Sequence, residues 1–470
     1  MLYFPAPRTV TGEDVLEFHI HGGPAVVKAV LSAIGKCTSS SEPVRYAEPG
    51  EFTRRAFLNN RIDLTKVEAL GDTLSAVTEE QRRLSVQGTV SGLASRYESW
   101  RQLLLAARGE LEALIDFSED QHFDESPAEL ASSVSIQVRH LEKLIRYHSS
   151  NAVRGELLRN GISLCLIGSP NVGKSSLLNQ IVGRNAAIVS QEAGTTRDIV
   201  EVGVDLGGFF CRLGDTAGLR GNSEQDLTKA MTSVIGEVEK EGIKRAKEKA
   251  LQSDVVILVF SIEAAGHGQL RIQMEEQVLE TARQLLAANK NIIVAINKMD
   301  KLAQAGTAAA DIVAEVHTAL PDFSKDRIFC ISCRDAASTT VSANKPDPGA
   351  FRAFLDGIIN IFKDLTNPLD PNIEGTDPSV WQESLGATER QRLLLDECRS
   401  HLQSFLQQVE QARDQARIGD DAEGDEFDIV VAAESLRAAA DCLAKLTGRG
   451  EAGDVEEVLG VVFEKFCVGK

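Results

Sequence analysis

The spacing of hydrophobic and polar residues divides the chain into segments with different predicted structures. Residues 1–88 mix short, strand-like apolar runs with helical stretches and Gly/Pro turns. Residues 89–160 repeat their apolar positions every three or four residues, which predicts long amphipathic helices. From residue 161 to 365, apolar runs of strand length alternate with helical stretches. This alternation predicts a mostly parallel sheet covered by helices.

Helical spacing resumes after a loop rich in Pro, Asn and Asp at residues 367–378 and continues to the C-terminus. The predicted strands of the central segment lie at 162–167, 200–205, 209–213, 255–260, 292–296 and 328–331. The predicted fold class is multidomain α+β, in which an α/β domain is inserted into an α-helical domain that is split in sequence. The predicted domains span residues 1–88, 89–160, 161–365 and 366–470.

Composition and charge narrow the possible functions. Of the 470 residues, 43% are hydrophobic and 25% are charged, as in ordinary globular domains. No apolar run reaches the ~18 residues that span a bilayer, so membrane insertion is not predicted. The net charge of −19 opposes nonspecific attraction to nucleic acid, so an RNA-binding role needs a local basic patch or a helper subunit. The first residues show no targeting signal and read as the middle of a domain, so we expect that the natural chain begins earlier.

The eight cysteines lie mostly in apolar, periodic segments, which is typical of buried thiols in a reducing compartment. Cys330 and Cys333 have the spacing of a redox or metal-binding pair. Because no second cysteine pair and no nearby histidine completes such a site, the sequence favours core positions for both thiols.

A phosphate-binding loop is predicted at residues 168–175, which read Gly-Ser-Pro-Asn-Val-Gly-Lys-Ser between a predicted strand and a predicted helix. In such a loop, backbone N–H groups and the helix N-terminus bind the β-phosphate. Lys174 is expected to reach the β- and γ-phosphates, and Ser175 to offer its hydroxyl to Mg²⁺. The other predicted phosphate contacts are Asn171, Val172, Gly173 and Ser176.

Further motifs follow in the order that a GTPase requires. Thr196, within Gly-Thr-Thr-Arg-Asp, is a switch threonine that can close on Mg²⁺ and the γ-phosphate. Asp215, which begins the motif Asp-Thr-Ala-Gly, would hold Mg²⁺ through water. The N–H of Gly218 would contact the γ-phosphate. Thr216 and Ala217 complete this predicted nucleotide contact.

Base recognition is predicted at Asn297, Lys298 and Asp300, which share one motif, and at Ser332 and Cys333. The Asp300 carboxylate can accept two hydrogen bonds from N1 and N2 of guanine, and adenine offers no matching pair of donors. A backbone N–H at Ser332-Cys333 can meet guanine O6. Together these residues predict that the chain selects GTP over ATP.

The residue after Asp-Thr-Ala-Gly is Leu219, so the water-orienting glutamine of small GTPases is absent there. Asn171 and the backbone carbonyls of residues 190–195 can cage a monovalent cation beside the phosphates. Such a cation would neutralise charge that develops in the transition state. A second interpretation, in which Asn171 only stabilises its own loop, fits the spacing equally well.

Several stretches outside these motifs are distinctive. They are Phe-Pro-Ala-Pro at 4–7, Thr-Gly-Glu-Asp-Val at 11–15, His-Gly-Gly-Pro at 21–24, the run at 48–59, Asp-Leu-Thr at 63–65 and the final Phe-Cys-Val-Gly-Lys. With these stretches, the chain resembles the TrmE/MnmE-type tRNA-modification GTPases over nearly all of its length. The resemblance implies an α/β N-terminal domain that forms a homodimer and binds a 5-formyltetrahydrofolate-type one-carbon donor.

The resemblance also implies modification of the wobble uridine of certain tRNAs at carbon 5, together with a FAD flavoprotein of the MnmG/GidA type. It implies that the G domains pair when GTP and K⁺ are bound, and that K⁺ stimulates hydrolysis. Matched residue by residue, the implied K⁺ ligands are Asn171, Ser190, Glu192 and Thr195. The implied Mg²⁺ ligands are Ser175, Thr196 and Asp215, and the implied folate contact is Glu51.

The predicted catalytic groups are Glu239, Lys174, Thr196 and Cys467. Glu239 is matched to the water-orienting position of the family, but about a dozen residues at 221–233 are inserted before it. A solvated helix glutamate is therefore the alternative interpretation. Cys467 is either an exposed thiol that Lys470 activates near the folate site or a structural cysteine, because a thiol pKa cannot be read from sequence.

The family's first strands are missing before Met1, so we expect an incomplete folate site. Extra loops near residues 264–273 and 335–349, with the many cysteines, favour a eukaryotic mitochondrial protein over a bacterial cytoplasmic one. The alternative function is a regulatory GTPase switch in ribosome or ribonucleoprotein assembly, without covalent chemistry. The GTPase motifs are common to both functions, so only the N-terminal and C-terminal stretches separate them.

Overall fold

The computed structural model describes residues 1–37, 44–117, 127–184, 186–191, 201–214, 247–265, 269–304, 309–337, 347–370, 379–418 and 428–449. The strands are β1 (Leu2–Phe4), β2 (Val15–Glu17), β3 (Ile162–Ile167), β4 (Ala186–Gln191), β5 (Glu201–Leu206), β6 (Phe209–Gly214), β7 (Val255–Ala265), β8 (Gln269–Gln273), β9 (Asn291–Asn297) and β10 (Ile328–Cys330). Helices α1–α7 are Pro24–Gly35, Glu51–Leu58, Leu64–Ser75, Glu79–Val90, Leu93–Phe117, Pro127–Asn160 and Lys174–Arg184. Helices α8–α14 are Glu276–Ala287, Ala309–Ala319, Cys333–Ala337, Phe351–Thr366, Ser379–Ser384, Glu389–Ile418 and Ile429–Leu446.

The chain forms two compact units. Unit 1 contains Met1–Ala76, Arg82–Glu156 and Pro368–Lys470, and unit 2 contains Val77–Gln81 and Leu157–Asn367. The helical part and the mixed sheet confirm those parts of the predicted fold class. The type of the N-terminal domain and the four domain boundaries remain predictions.

Unit 1 begins with a small antiparallel pair, β1 and β2, in which Tyr3 lies opposite Leu16. The Asp14 carboxylate fixes this hairpin, because it accepts hydrogen bonds from the Tyr3 hydroxyl (2.9 Å) and the Ala6 N–H (2.8 Å). The hydrogen bond from the Ala6 N–H, followed by that from the Tyr3 hydroxyl, lowers the pKa of Asp14. Arg61 joins the hairpin to the helices, since its Nε donates to the Thr9 carbonyl at 3.0 Å.

The main core of unit 1 lies between α5, α6, α13 and α14. Fully buried apolar side chains recur at helical spacing on each, among them Leu104, Leu141, Leu402 and Leu443. Helix α14 begins where the Asp428 carboxylate accepts hydrogen bonds from two N–H groups of the first turn, at 3.0 and 3.1 Å.

A buried ionic group joins three helices of unit 1. Glu68 on α3 is 6% exposed and accepts a hydrogen bond from Arg390 Nε at 2.7 Å. The neighbouring Gln391 amide also donates to this carboxylate. The Arg390 guanidinium reaches the Lys445 carbonyl at 3.3 Å, near the end of α14. A buried carboxylate needs such partners, because an unpaired charge in the interior is strongly unfavourable.

Unit 2 is built on a mixed sheet of eight described strands, in the order β10-β9-β7-β3-β6-β5-β4, with β8 beside β7. Strands β10, β9, β7, β3 and β6 are parallel, whereas β4, β5 and β8 are antiparallel to their neighbours. The central strands are continuous apolar runs, as expected for parallel strands covered on both faces. The carboxyl ends of the parallel strands meet at one edge, and the predicted site residues follow several of them.

Three strands differ from the sequence-based expectation. Strand β4 was not predicted. The extra loop expected near residues 264–273 is instead partly a hairpin, in which β7 continues to Ala265 and pairs with β8. Ile262 and Ile272 lie opposite each other and are both buried, so the hairpin extends the apolar core of the sheet. Across the described ranges, no helix combines the length and apolarity needed to cross a membrane.

Candidate nucleotide-binding site

The loop between β3 and α7 has a backbone conformation and close contacts that require particular residues. Asn171 and Gly173 adopt positive φ angles of 63° and 99°. A Cβ atom on Gly173 would lie 2.3 Å from Asn297 Nδ2, and one on Gly168 would lie 2.3 Å from the Val259 carbonyl oxygen. Close neighbours therefore require glycine at both positions, and at Gly173 the positive φ requires it as well.

Lys174 begins α7 and turns back over its own loop. Its ammonium donates to the carbonyl of Gly168 at 2.6 Å and to that of Ser169 at 2.8 Å. Burial lowers the pKa of Lys174, and the charge of Glu275 opposes this shift. Ser175 and Ser176 follow with exposed side chains in the first turn. The loop thus presents an ammonium, hydroxyls and a helix N-terminus, the groups that bind phosphate and its cation.

Asn297, at the end of β9, is a buried bridge between two loops. Its Nδ2 donates to the Val172 carbonyl of the phosphate loop at 3.0 Å. Its Oδ1 accepts from the N–H of Cys333 at 3.1 Å. The side chain that was predicted to contact nucleotide therefore holds the phosphate loop against the connection between β10 and α10.

The connection between β10 and α10 also contacts the Asp300 carboxylate. The Ser332 hydroxyl donates to Asp300 Oδ1 at 3.0 Å and accepts from the N–H of Asp335 at 3.1 Å. The exposed Arg334 guanidinium lies 3.8 Å from Asp300 Oδ2. Sequence reasoning missed this role of the Ser332 hydroxyl, because the two residues are far apart in the chain.

The backbone N–H groups predicted to meet guanine O6 already have partners. The N–H of Ser332 donates to the Gly349 carbonyl at 3.0 Å, and that of Cys333 donates to Asn297. Gly349 has a φ of 75°, and a Cβ atom there would lie 2.4 Å from the Ser332 carbonyl oxygen. A base that uses either N–H must share or replace these bonds.

Lys298 is positioned by a carboxylate from the β7–β8 hairpin. It has a φ of 66°, and its ammonium donates to Glu263, which also binds Lys301 at 2.5 Å. These hydrogen bonds lower the pKa of Glu263. Glu263 was missed because it adjoins the segment that was predicted to be an extra loop.

Glu51, the predicted folate contact, lies in unit 1 within an ionic network. Arg45 binds its carboxylate with two nitrogens, at 2.7 and 2.9 Å, and Arg55 binds it at 2.6 Å. The Glu48 N–H adds a bond at 2.8 Å. These bonds, first of all that of Arg45, hold the pKa of Glu51 at about 2. Any ligand of this carboxylate must replace one of these partners.

Comparisons with known proteins identify the family of this chain. The family model described as "GTP-binding protein TrmE N-terminus" matches residues 1–61, and the family model described as "MnmE helical domain" matches residues 64–467. This chain belongs to the TrmE/MnmE family of tRNA modification GTPases.

This chain aligns with most of the length of its relatives in the family. The mitochondrial tRNA modification GTPase mss1 of Schizosaccharomyces pombe is 36% identical, over 100% of this chain and 83% of the relative. The tRNA modification GTPase MnmE of Paramagnetospirillum magneticum is 34% identical, over 100% of this chain and 86% of the relative. A mitochondrial 5-taurinomethyluridine-tRNA synthase subunit of Danio rerio is 34% identical, over 100% and 81%.

Part of the site predicted for a member of this family is not described by the structure. The residues outside the described ranges are Glu192, Thr195, Thr196, Asp215, Thr216, Ala217, Gly218, Glu239 and Cys467. Ser190 lies in β4, opposite Gly203 of β5. The described part of the site therefore comprises the phosphate loop and the segments at 297–300 and 332–333, which were predicted to bind the guanine base and are called the base-reading loops below.

Cys333 is buried, and the half-buried Cys330 packs against the apolar core of the sheet. Burial raises the pKa of Cys330, and it raises that of Cys333 to about 11. Both groups are free cysteines. A reactive pair needs a lowered thiol pKa, so this geometry agrees with the core interpretation.

Proposed function

We propose that this chain binds GTP at the phosphate loop and hydrolyses it during the modification of tRNA. The observation that carries the proposal is the Asn297 bridge, because it brings the phosphate loop and the base-reading loops to the same edge of the sheet. The Asp300 carboxylate would accept the N1 and N2 donors of guanine. Family membership supports the link to tRNA.

The phosphate loop also fits the cations that the family resemblance implies. Ser175 would offer its exposed hydroxyl to Mg²⁺, with Thr196 and Asp215. Asn171, exposed on its positive-φ backbone, would join Ser190, Glu192 and Thr195 around K⁺. When bound, these cations offset charge that develops on the phosphates. Lys174 would leave its loop carbonyls to bind phosphate, and Thr196 and Glu239 would orient groups for hydrolysis.

We propose that the wobble uridine is the modified base and that an MnmG/GidA-type FAD flavoprotein is the partner of the homodimer. The net charge of −19 supports a division of labour in which the flavoprotein supplies much of the positive charge that binds tRNA. The isolated chain should then bind tRNA weakly. Tight binding that falls steeply with salt would contradict this division.

Glu51 would bind the one-carbon donor by exchanging a partner. Arg45 is the candidate for exchange, because its side chain is 58% exposed and its two N–H donors match the paired donors of a pterin ring. Cys467 would act near this site.

Domains at 1–88, 89–160, 161–365 and 366–470 fit this assignment of roles. The mitochondrial relatives favour a mitochondrial location over a bacterial cytoplasm.

Replacing Asp300 tests base recognition directly. In Asp300→Asn, one carboxylate oxygen becomes an N–H donor, which no longer matches the guanine N–H pair but suits the 2-oxo group of xanthine. We expect the wild type to prefer GTP to ATP, and Asp300→Asn to shift preference from GTP toward XTP by at least about tenfold. Asp311→Asn, on the exposed face of α9, is the matched control. Unchanged preference in Asp300→Asn would refute the assignment.

Two further measurements test the proposed function, and the second separates it from a regulatory switch. We expect turnover of GTP to be faster in K⁺ than in Na⁺, and Asn171→Ala to remove that difference while GTP still binds. We also expect this chain to restore wobble-uridine modification in a fission-yeast strain that lacks mss1. GTP hydrolysis with no restoration of modified tRNA would favour the switch.

A further inference from the structure

Three potential metal ligands meet in unit 1, which does not contain the phosphate loop. Glu397 and His401 lie on α13, and Cys442 lies on α14. One carboxylate oxygen, one ring nitrogen and the thiol sulfur all lie within 4.8 Å of one another. In the part of the chain that the structure describes, no other group of His, Cys, Asp and Glu side chains meets this condition.

The positions of the ligands are fixed by regular structure. Residues four apart on a helix project from the same face, so Glu397 and His401 form a preorganised pair. The same spacing of two ligands on one helix is used by zinc enzymes. Cys442 contributes the third ligand from the neighbouring helix. We propose that Glu397, His401 and Cys442 form a Zn²⁺ site that links α13 to α14.

The chemistry of the ligands favours zinc over the hard cations of the nucleotide site. Mg²⁺ and Ca²⁺ take oxygen ligands, whereas Zn²⁺ accepts sulfur, nitrogen and oxygen together. Tetrahedral zinc with bonds of about 2.0–2.3 Å places its ligand atoms ~3.3–3.6 Å apart. The ligand atoms, now within 4.8 Å of one another, would therefore have to approach by about 1 Å, a distance on the scale of a side-chain rotation.

The neighbouring charges leave the ligands available. Asp396 and Arg399 lie next to them on α13 but bind elsewhere: Asp396 accepts from Ser149 at 2.6 Å, and Arg399 lies 3.4 Å from Glu142. The Glu397 carboxylate and the His401 ring make no hydrogen bond or ion pair with a described residue.

The three proposed ligands differ in their exposure to solvent. Cys442 is 5% exposed, His401 is half-buried and Glu397 is exposed, so an ion can enter from solvent and reach the thiol. Burial raises the pKa of Cys442 to about 12, and Glu397 and Asp441 add to this rise while Lys445 opposes it. A divalent cation would stabilise the thiolate and the carboxylate together. With three protein ligands, water would complete the coordination.

Zinc titration of the full chain tests the site. The protein is stripped of metal, kept in excess Mg²⁺ without nucleotide, and titrated with Zn²⁺ against a chromophoric chelator. Wild type should bind one zinc ion more than Cys442→Ser or His401→Gln, or bind it at least about tenfold more tightly. Cys37→Ser and His140→Gln, which change an exposed cysteine and an exposed histidine, should match wild type. Equal binding by all five proteins, or none by wild type, would overturn the proposal.

Cobalt provides a spectroscopic test of the thiol ligand. Co²⁺ in the site should show a thiolate-to-metal charge-transfer band in wild type and in Cys37→Ser. The band should be absent in Cys442→Ser. His401→Gln changes a half-buried side chain, so it keeps the test decisive if Cys442→Ser fails to fold. A band that persists in a folded Cys442→Ser variant would exclude Cys442 as the ligand.

Discussion

We expect the stability of unit 1 to depend on pH because of the buried His148. The imidazole is fully buried, packs edge-on against Trp100 with 5.2 Å between ring centres, and has no hydrogen-bond partner on either nitrogen among the described residues. Burial, and then the charge of Arg96, lowers the pKa of His148 from 6.5 to about 3. The unfolded chain therefore binds a proton that the folded unit excludes.

The sign and size of the effect follow from this difference. Because the folded pKa lies below the unfolded pKa, stability is complete above pH 6.5 and is lost as the pH falls toward 3. The two values imply a loss of about 2 kcal/mol at pH 5 and of about 5 kcal/mol below pH 3. Replacement by Phe keeps the ring packing and removes the titration.

Urea unfolding followed by tryptophan fluorescence measures this effect. Both tryptophans, Trp100 and Trp381, belong to unit 1, so their signal reports on that unit. Between pH 7.5 and pH 5, wild type should lose about 2 kcal/mol more than His148→Phe. His140→Gln, at an exposed position of the same helix, should parallel wild type. A difference between wild type and His148→Phe that stays constant across this range would refute the reasoning.

Other substitutions test individual contacts. Gly173→Ala should weaken GTP binding at least about tenfold in a fluorescent-nucleotide titration, because it adds a clash and a strained φ, whereas Gly183→Ala on the open face of α7 should not. Arg390→Ala removes the cationic partner of the buried Glu68 carboxylate and should lower the free energy of unfolding by about 3–5 kcal/mol. The exposed Arg437→Ala should change it by less than about 1 kcal/mol. Glu263→Gln should weaken guanine-nucleotide binding several-fold, and unchanged binding in the same titration would refute its positioning role.

The sequence predicted those parts of the fold that depend on neighbouring residues. The apolar runs at 255–260 and 292–296 lie in β7 and β9, because buried parallel strands are apolar on both faces. The phosphate loop was also predictable, since its glycines and lysine lie within one segment of eight residues and their chemistry is local. The hairpin of β7 and β8 was not, because its stability comes from packing against the rest of the sheet.

Contacts between distant residues were not predictable from spacing. Glu263 and Lys298 are 35 residues apart, and Ser332 and Asp300 are 32 residues apart. Nothing in the local sequence indicates these pairs, and the sheet topology alone brings them together. The same holds for His148, whose unpartnered nitrogens are visible only once the core is assembled.

Asn297 shows why the base-reading motif and the phosphate loop form one unit. The position needs a donor for the Val172 carbonyl and an acceptor for the Cys333 N–H, at 3.0 and 3.1 Å. An ionised aspartate offers only acceptors and a leucine offers neither, whereas the asparagine amide offers both on a short side chain. The amide fits because Gly173 has no Cβ atom. A glycine of the phosphate motif and an asparagine of the guanine motif are therefore parts of a single interlocking contact, so a change at either position should disturb recognition of both ends of the nucleotide.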